Sequence, residues 1–117
     1  MGRWAQAQRR GGVGPDKTGL PPAPPVNGDW SVSSPSAGQL QVVGIGSFPA
    51  GVASYLMYYR LTGSGPYTLG GSQLTKTVPI ASFGLTSAQT YDVVIAWGNA
   101  SQQQSSAYSP IKTQVIT

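Results

Sequence analysis

Side-chain catalysis needs a nucleophile, a base or a metal ligand, and this chain supplies few. It has no Cys and no His, which removes thiolate nucleophiles, a histidine general base, zinc sites built on those ligands, and disulfides. Its carboxylates are Asp16, Asp29 and Asp92, and Glu is absent. Carboxylates that far apart make no acid/base pair unless folding unites two of them. Serines are plentiful, but only Lys76 or Lys112 could activate one, and no motif supports such a pair. No catalytic, metal-binding or cofactor-binding residue is assigned, and the chain is not expected to be an enzyme.

Other motifs carry equally little. Gly44-Ile45-Gly46 lacks the third glycine and following helix of a dinucleotide loop. Asn99-Ala100-Ser101 has the form of a glycosylation acceptor, which reads as chance in a chain without an export signal. There is no Arg-Gly-Asp triplet. Tyr55, Tyr58, Tyr59 and Tyr67 could line a sugar-binding strip, but strand alternation turns half of such a set inward, so packing is the expected use. Residues 99–106, NASQQQSS, read as a solvated loop tip at a place where binding loops often sit.

Charge is unevenly placed. The formal net charge is +4. Arg3, Arg9, Arg10 and Lys17 against Asp16 give +3 to residues 1–25, whereas Arg60, Lys76 and Lys112 against Asp29 and Asp92 give +1 to the remainder. The basic character belongs to an amino-terminal arm. Residues 1–19 read as that arm, with Trp4 as its one large apolar group and Arg3, Arg9 and Arg10 available to carboxylates or phosphates. Three arginines without a folded basic surface are a poor basis for nucleic-acid binding. Residues 20–25, LPPAPP, form a polyproline spacer. No apolar run is long enough to span a membrane, and the first 20 residues do not have the form of a secretory signal.

The elements that must position everything else are strands. With 16 Gly, 10 Pro and 9% charged residues in 117, the composition favours turns and β-structure over helices. Residues 91–97 alternate Tyr91, Val93, Ile95 and Trp97 with Asp92, Val94 and Ala96, giving a strand with four large residues on one face. Tyr91 follows a polar turn after Leu85, so its hydroxyl can bond back to the corner's backbone; a backbone acceptor is the expected partner. Further strands are expected at residues 29–33, 39–45, 52–61, 67–69, 75–80 (continuing towards Phe83 and Leu85) and 111–116, the last with Ile111, Thr113 and Val115 on one face. Seven short strands over residues 26–117 predict an antiparallel two-sheet sandwich, with a small barrel as the alternative.

The ordered set resembles a fibronectin type III domain or a close immunoglobulin-like relative over residues 22–117. The carriers are the PPAPPV lead-in, Leu40-x-Val42, Tyr55-x-x-x-Tyr59-Arg60, the corner from Leu85-Thr86 to Thr90-Tyr91-x-Val93, Asn99 after that strand, and Ser109-Pro110 before the last. The resemblance implies a core of Trp30, Leu40, Val42, Gly44, Tyr55, Met57, Leu85, Tyr91, Val93, Ile95 and Trp97. Two departures look compensatory. Gly44 stands where the family usually has Trp, and Trp97 where it usually has a small residue, so Trp97 is expected to be buried next to Gly44.

Such domains serve in adhesion and display. With an initial Met and no export signal, a bacteriophage virion is the expected setting. Arg3, Trp4, Arg9 and Arg10 would dock the arm on capsid, collar or tail subunits within a large assembly, and the sandwich would project outward, with a host-surface glycan as an outward ligand. The alternative is an extracellular spacer or weak carbohydrate-binding module excised from a secreted bacterial enzyme or adhesin.

Overall fold

In a computed structural model of the chain, which describes residues 21–63 and 65–117, a 3-10 turn at Asn27–Asp29 leads into strands β1 (Trp30–Ser33), β2 (Leu40–Gly44), β3 (Ser54–Leu61), β4 (Thr68–Gln73), β5 (Ile80–Ser82), β6 (Thr90–Gly98) and β7 (Lys112–Val115). They form two antiparallel sheets, one ordered β1-β2-β5 and the other β4-β3-β6-β7. The expected sandwich of seven strands is the observed fold.

Strand β6 lies between β3 and β7, so both of its edges are hydrogen-bonded. Val93, Ile95 and Trp97 point between the sheets and are almost fully buried, while Val94 and Ala96, on the opposite face, are buried as well. Between the sheets Trp30, Leu40, Val42 and Ile80 meet Tyr55, Met57, Tyr91, Val93, Ile95 and Trp97, with Ile116 at one end. Leu85 is half-buried and packs against this core. Full burial of one such apolar side chain is worth about 1.5–3 kcal/mol, so this cluster is the main source of stability in a chain without disulfides.

The Tyr91 corner forms with reversed polarity. The Thr86 backbone N–H donates to the Tyr91 hydroxyl at 3.2 Å, so the bonded backbone group is a donor. The same corner holds the end of the chain. Ala88 N–H donates to Ile116 O at 2.8 Å, Ile116 N–H donates to Gln89 O at 2.9 Å, and Gly38 N–H donates to Thr117 O at 3.0 Å. Ala88 adopts φ 68°, a left-handed conformation that the corner requires.

Several strands depart from expectation for physical reasons. Residues 75–79 form a turn, in which Val78 N–H donates to Thr75 O at 3.2 Å. Pro79 has no N–H to give a ladder, so β5 begins at Ile80 and Phe83 is left exposed. Strand β4 does not stop at Leu69 but crosses Gly70 and Gly71 with a bulge opposite Met57 and Tyr58. A Cβ at Gly70 would lie 2.6 Å from Met57 Sδ, so glycine is there to let β4 close over β3. In β7, Ile111 and Val115 do share a side with Thr113, but it is the outer one: both are more than half exposed, and Ile116 is the buried residue. Pro25, the last residue of the proline run, is itself buried against the body.

The space above Gly44 holds a residue that the sequence does not point to. Trp97 is buried, but the space above Gly44 belongs to Lys76: a Cβ there would lie 2.3 Å from Lys76 O and 2.4 Å from Lys76 Cγ. Gly44 N–H donates to that same carbonyl at 2.9 Å. The lysine stem fills the space directly above Gly44, with its ammonium over the Trp97 ring.

Gly44→Ala should therefore destabilise by about 2–3 kcal/mol, because the clash is with backbone that cannot swing away. Tyr91→Phe should cost about 1–2 kcal/mol by leaving the Thr86 N–H unpaired. Denaturant melts of both variants check these values, and an unchanged midpoint would contradict the respective contact.

Candidate functional site

Every charged side chain of the described residues is engaged within the domain. Asp29 pairs with Lys76 at 3.0 Å and Asp92 with Arg60 at 3.1 Å. Lys112 donates to Asn27 O at 2.9 Å and to Trp30 O. No group of three or more His, Cys, Asp or Glu that could hold a metal occurs among the described residues. Folding therefore gives each of the two described carboxylates its own cation rather than a carboxylate partner. Burial pushes the Asp29 carboxyl up, but the Val26 N–H and the Lys76 ammonium outweigh it and hold the group below its ordinary value. Asp92 follows the same logic: burial raises it, and Arg60, Thr62 and the Gly63 N–H lower it further than that. Both are fixed as anions, which is a structural use rather than an acid/base one.

Lysines cap both core tryptophans. Lys76, with its side chain 4% exposed, places its ammonium 5.1 Å from the Trp97 ring centre while bonding Asp29 and, at 3.2 Å, Ser47 O. Lys112 places its ammonium 4.6 Å from the Trp30 ring centre, and burial lowers its pKa. The two reach the 27–30 segment from different elements, one from the turn before β5 and the other from β7. Val26 N–H donates to Asp29 Oδ2 at 2.9 Å and Ile45 N–H donates to Asp29 O at 2.8 Å, so the point where the chain enters the sandwich is held from several sides. Nothing in the spacing of Lys76 or Lys112 marks these roles, because they depend on long-range folding.

The outer face of the four-stranded sheet carries a second cluster. Tyr55 and Tyr59 point inward, whereas Tyr58 and Tyr67 lie outside. They are joined there by Tyr108, whose ring centre is 5.0 Å from Tyr58 and 5.3 Å from Tyr67. Arg60 lies 4.5 Å over the Tyr67 ring. Tyr108 is not legible as a partner in the sequence, since it falls between strands. Its position follows from two flanking serines: Ser106 Oγ accepts the Trp97 N–H at 2.9 Å, and Ser109 Oγ accepts the Ile95 N–H at 3.0 Å. These hydroxyls replace carbonyls of a regular ladder and let Ala107 and Tyr108 bow outward.

The segment expected as a solvated tip is built on Asn99. Its Oδ1 accepts the N–H groups of Ser101 and Gln103, each at 3.0 Å. Ser72 Oγ donates to Gln102 Oε1 at 2.6 Å, and the Tyr58 hydroxyl donates to Gln104 Oε1 at 3.1 Å, tying the segment to the tyrosine face. Arg3, Trp4, Arg9 and Arg10, the arm residues expected to dock, lie outside the described residues, as does Asp16. No helix among the described residues is long and apolar enough to cross a membrane.

No protein-family model matches the chain, and no curated protein is similar to it in sequence. Solved structures are similar in fold. A chain described as a myokine superimposes with TM-score 0.59 at 18% identity, covering 83% of this chain and 99% of the other. The FN5 domain of Drosophila Lar gives 0.53 at 15% identity over 83% and 97%. The fn3 domain of the human collagen alpha-1(XX) chain gives 0.54 at 22% identity over 80% and 86%. The sandwich has the fold of fibronectin type III domains, and likeness at these identities speaks for the fold alone.

The buried phenol of Tyr55 gives a pH signature. Burial raises it, against the lowering effect of the Gly44 N–H, to about 12. A raised acid favours the folded state while neutral, so its contribution is full below the ordinary tyrosine value of about 10 and is lost as pH rises towards 12. The lowered Asp29 and Asp92 contribute above the ordinary carboxylate range and lose that contribution as pH falls through their folded values. Lys112 works in the opposite sense at alkaline pH, its desolvation cost vanishing as it deprotonates. Denaturant midpoints should fall at both pH extremes. Tyr55→Phe should be destabilised at neutral pH but show a shallower alkaline decline than the parent; equal alkaline slopes would contradict the assignment.

Proposed function

We propose that this chain is a non-catalytic structural protein of a bacteriophage virion, a decoration of head, collar or tail. Residues 1–19 attach it to capsid, collar or tail subunits, and the sandwich projects outward for contact with the host surface. The observation that carries this reading is the partition of charge. Within the described sandwich, Asp29, Arg60, Lys76, Asp92 and Lys112 are all consumed by internal contacts, while the arm has Arg3, Arg9, Arg10 and Lys17 against one Asp. Both described carboxylates are already paired, so the arm's arginines find their natural partners on another molecule, as acidic side chains or phosphates. Trp4 supplies the apolar anchor of such a contact. The lysine-held entry at residues 27–30 suits a module carried through its amino-terminal end, since it ties the incoming segment to both sheets.

A second reading takes its support from the outer tyrosines: an extracellular spacer or weak carbohydrate-binding module of a secreted bacterial enzyme or adhesin. Assembly state separates the two, because the first requires arm-dependent joining of a multimeric particle and the second a monomer. Deletion of residues 1–19 is the direct test. The truncated chain should keep the thermal midpoint of the parent yet fail to copurify with particles that carry the full chain. Attachment that survives the deletion would overturn the arm-docking reading.

A further inference from the structure

We infer that the outer face of the four-stranded sheet carries a shallow site for a neutral saccharide, centred on the Tyr108 ring. The inference deepens the outward-display reading and rests on it for its setting, although the site is testable on the chain by itself.

The backbone leaves the ladder at this point. Ser106 and Ser109 are buried, and their hydroxyls take the N–H groups of Trp97 and Ile95 that carbonyls of an uninterrupted strand would take. Between them Ala107 and Tyr108 are exposed. Two buried hydroxyls thus stand in for a regular ladder, and the visible product is one ring held outside the sheet. Departures from a locally regular solution concentrate where a surface is used.

That ring is held in advance. Tyr58 meets it at 53° and Tyr67 at 66°, so both neighbours approach it tilted and Tyr108 remains 40% exposed. A ring already fixed in place loses little freedom when a ligand lands on it. The polar groups around it are amides and hydroxyls, and Leu69 and Ile111 leave apolar surface on the same face. The Tyr58 hydroxyl donates to Gln104, and Gln104 Nε2 donates to Ser106 O at 2.7 Å.

Charge selects the ligand class. The nearest ionic group, Arg60, is spent on Asp92 and on Gly65 O at 3.0 Å, and its guanidinium lies against Tyr67. Among the described residues no free cation or anion faces the ring, so acidic sugars, phosphates and amines find no counter-charge on the sandwich itself. A neutral polyol matches: its C–H face lies on the aromatic ring and its hydroxyls meet amides and phenols. A protein partner fits less well. One exposed ring with Leu69 and Ile111 on the same face is a small patch beside the roughly 800 Å² that a stable interface takes from each side.

The test is an amide-resolved NMR titration of the full chain with maltohexaose, cellohexaose and mannohexaose, using sialyllactose as a charged control. At least one neutral hexasaccharide should shift resonances around Tyr108, Tyr58 and Gln104, and sialyllactose should not. Tyr108→Ala should weaken that binding about tenfold, the scale set by losing one aromatic contact, and Tyr108→Phe should keep most of it. If Tyr108→Ala disturbs the fold, Gln104→Ala, in an exposed segment, takes its place with a smaller loss expected. Silence with all three neutral probes, undiminished binding by the folded Tyr108→Ala chain, or preference for the charged sugar would each overturn the proposal. A protein contact abolished by Tyr108→Ala while saccharides remain silent would overturn it in favour of a protein-docking face. Deleting residues 1–19 should leave saccharide shifts unchanged, so a failed site and a failed arm-docking reading give different results.

Discussion

The structure depends on one buried ammonium. Lys76 joins a carboxylate at the head of β1, a carbonyl from the loop after β2, and the face of an indole from the opposite sheet, while its own backbone closes over Gly44. A charge so enclosed is tolerated only when each of its donors has a directed partner. Each partner therefore constrains the others: the position of Asp29 sets the entry of the chain, Gly44 must lack a side chain, and Trp97 must present its face. Removing the lysine would leave a carboxylate without its cation and a core ring without its cover, whereas removing an ordinary core methyl would leave only a cavity.

The features legible in the sequence were those with local periods. Alternation over Tyr91, Val93, Ile95 and Trp97 placed β6, because that strand spends every second residue on the inter-sheet face. The turn before Tyr91 marked the corner, since hydroxyl and backbone are only five residues apart. The same local logic failed where a distant neighbour decides. Gly70 and Gly71 read as a stop but lie within a strand, because Met57 needs the room above it. Alternation put Ile111, Thr113 and Val115 on one side of the last strand but did not say which way that side faces; Lys112, on the other side, lies over Trp30, and Ile111 faces water. Gly44 and Trp97 did mark an unusual core, and the piece that reconciles them is a lysine from a turn whose sequence says nothing of burial. The tyrosine face was half legible: alternation separates Tyr58 from Tyr55 and Tyr59, but Tyr108 arrives by a detour that two serine hydroxyls make affordable.

Internal neutralisation gives the described sandwich an unusual exterior. Polar groups cover it, yet no side-chain charge is left unengaged, and Val26, Ile45, Leu69, Phe83, Ile111 and Val115 remain more than half exposed. Charge of one sign on neighbouring molecules usually keeps them apart. Among the described residues little such charge is left unpaired. Neighbouring sandwiches would therefore meet with little long-range repulsion from their described residues.

Wherever copies come close, the bulge in β4 is consequential. A rim strand with regular, unpaired amides is a template on which a neighbour's strand can add, and crowded copies would then grow cross-β fibrils. The register shift at Met57 and Tyr58 interrupts the regular spacing of that template, and the paired glycines deny an incoming strand the side chains it would zip against. The same backbone irregularity that makes room for a methionine thus protects crowded copies from polymerising edge to edge.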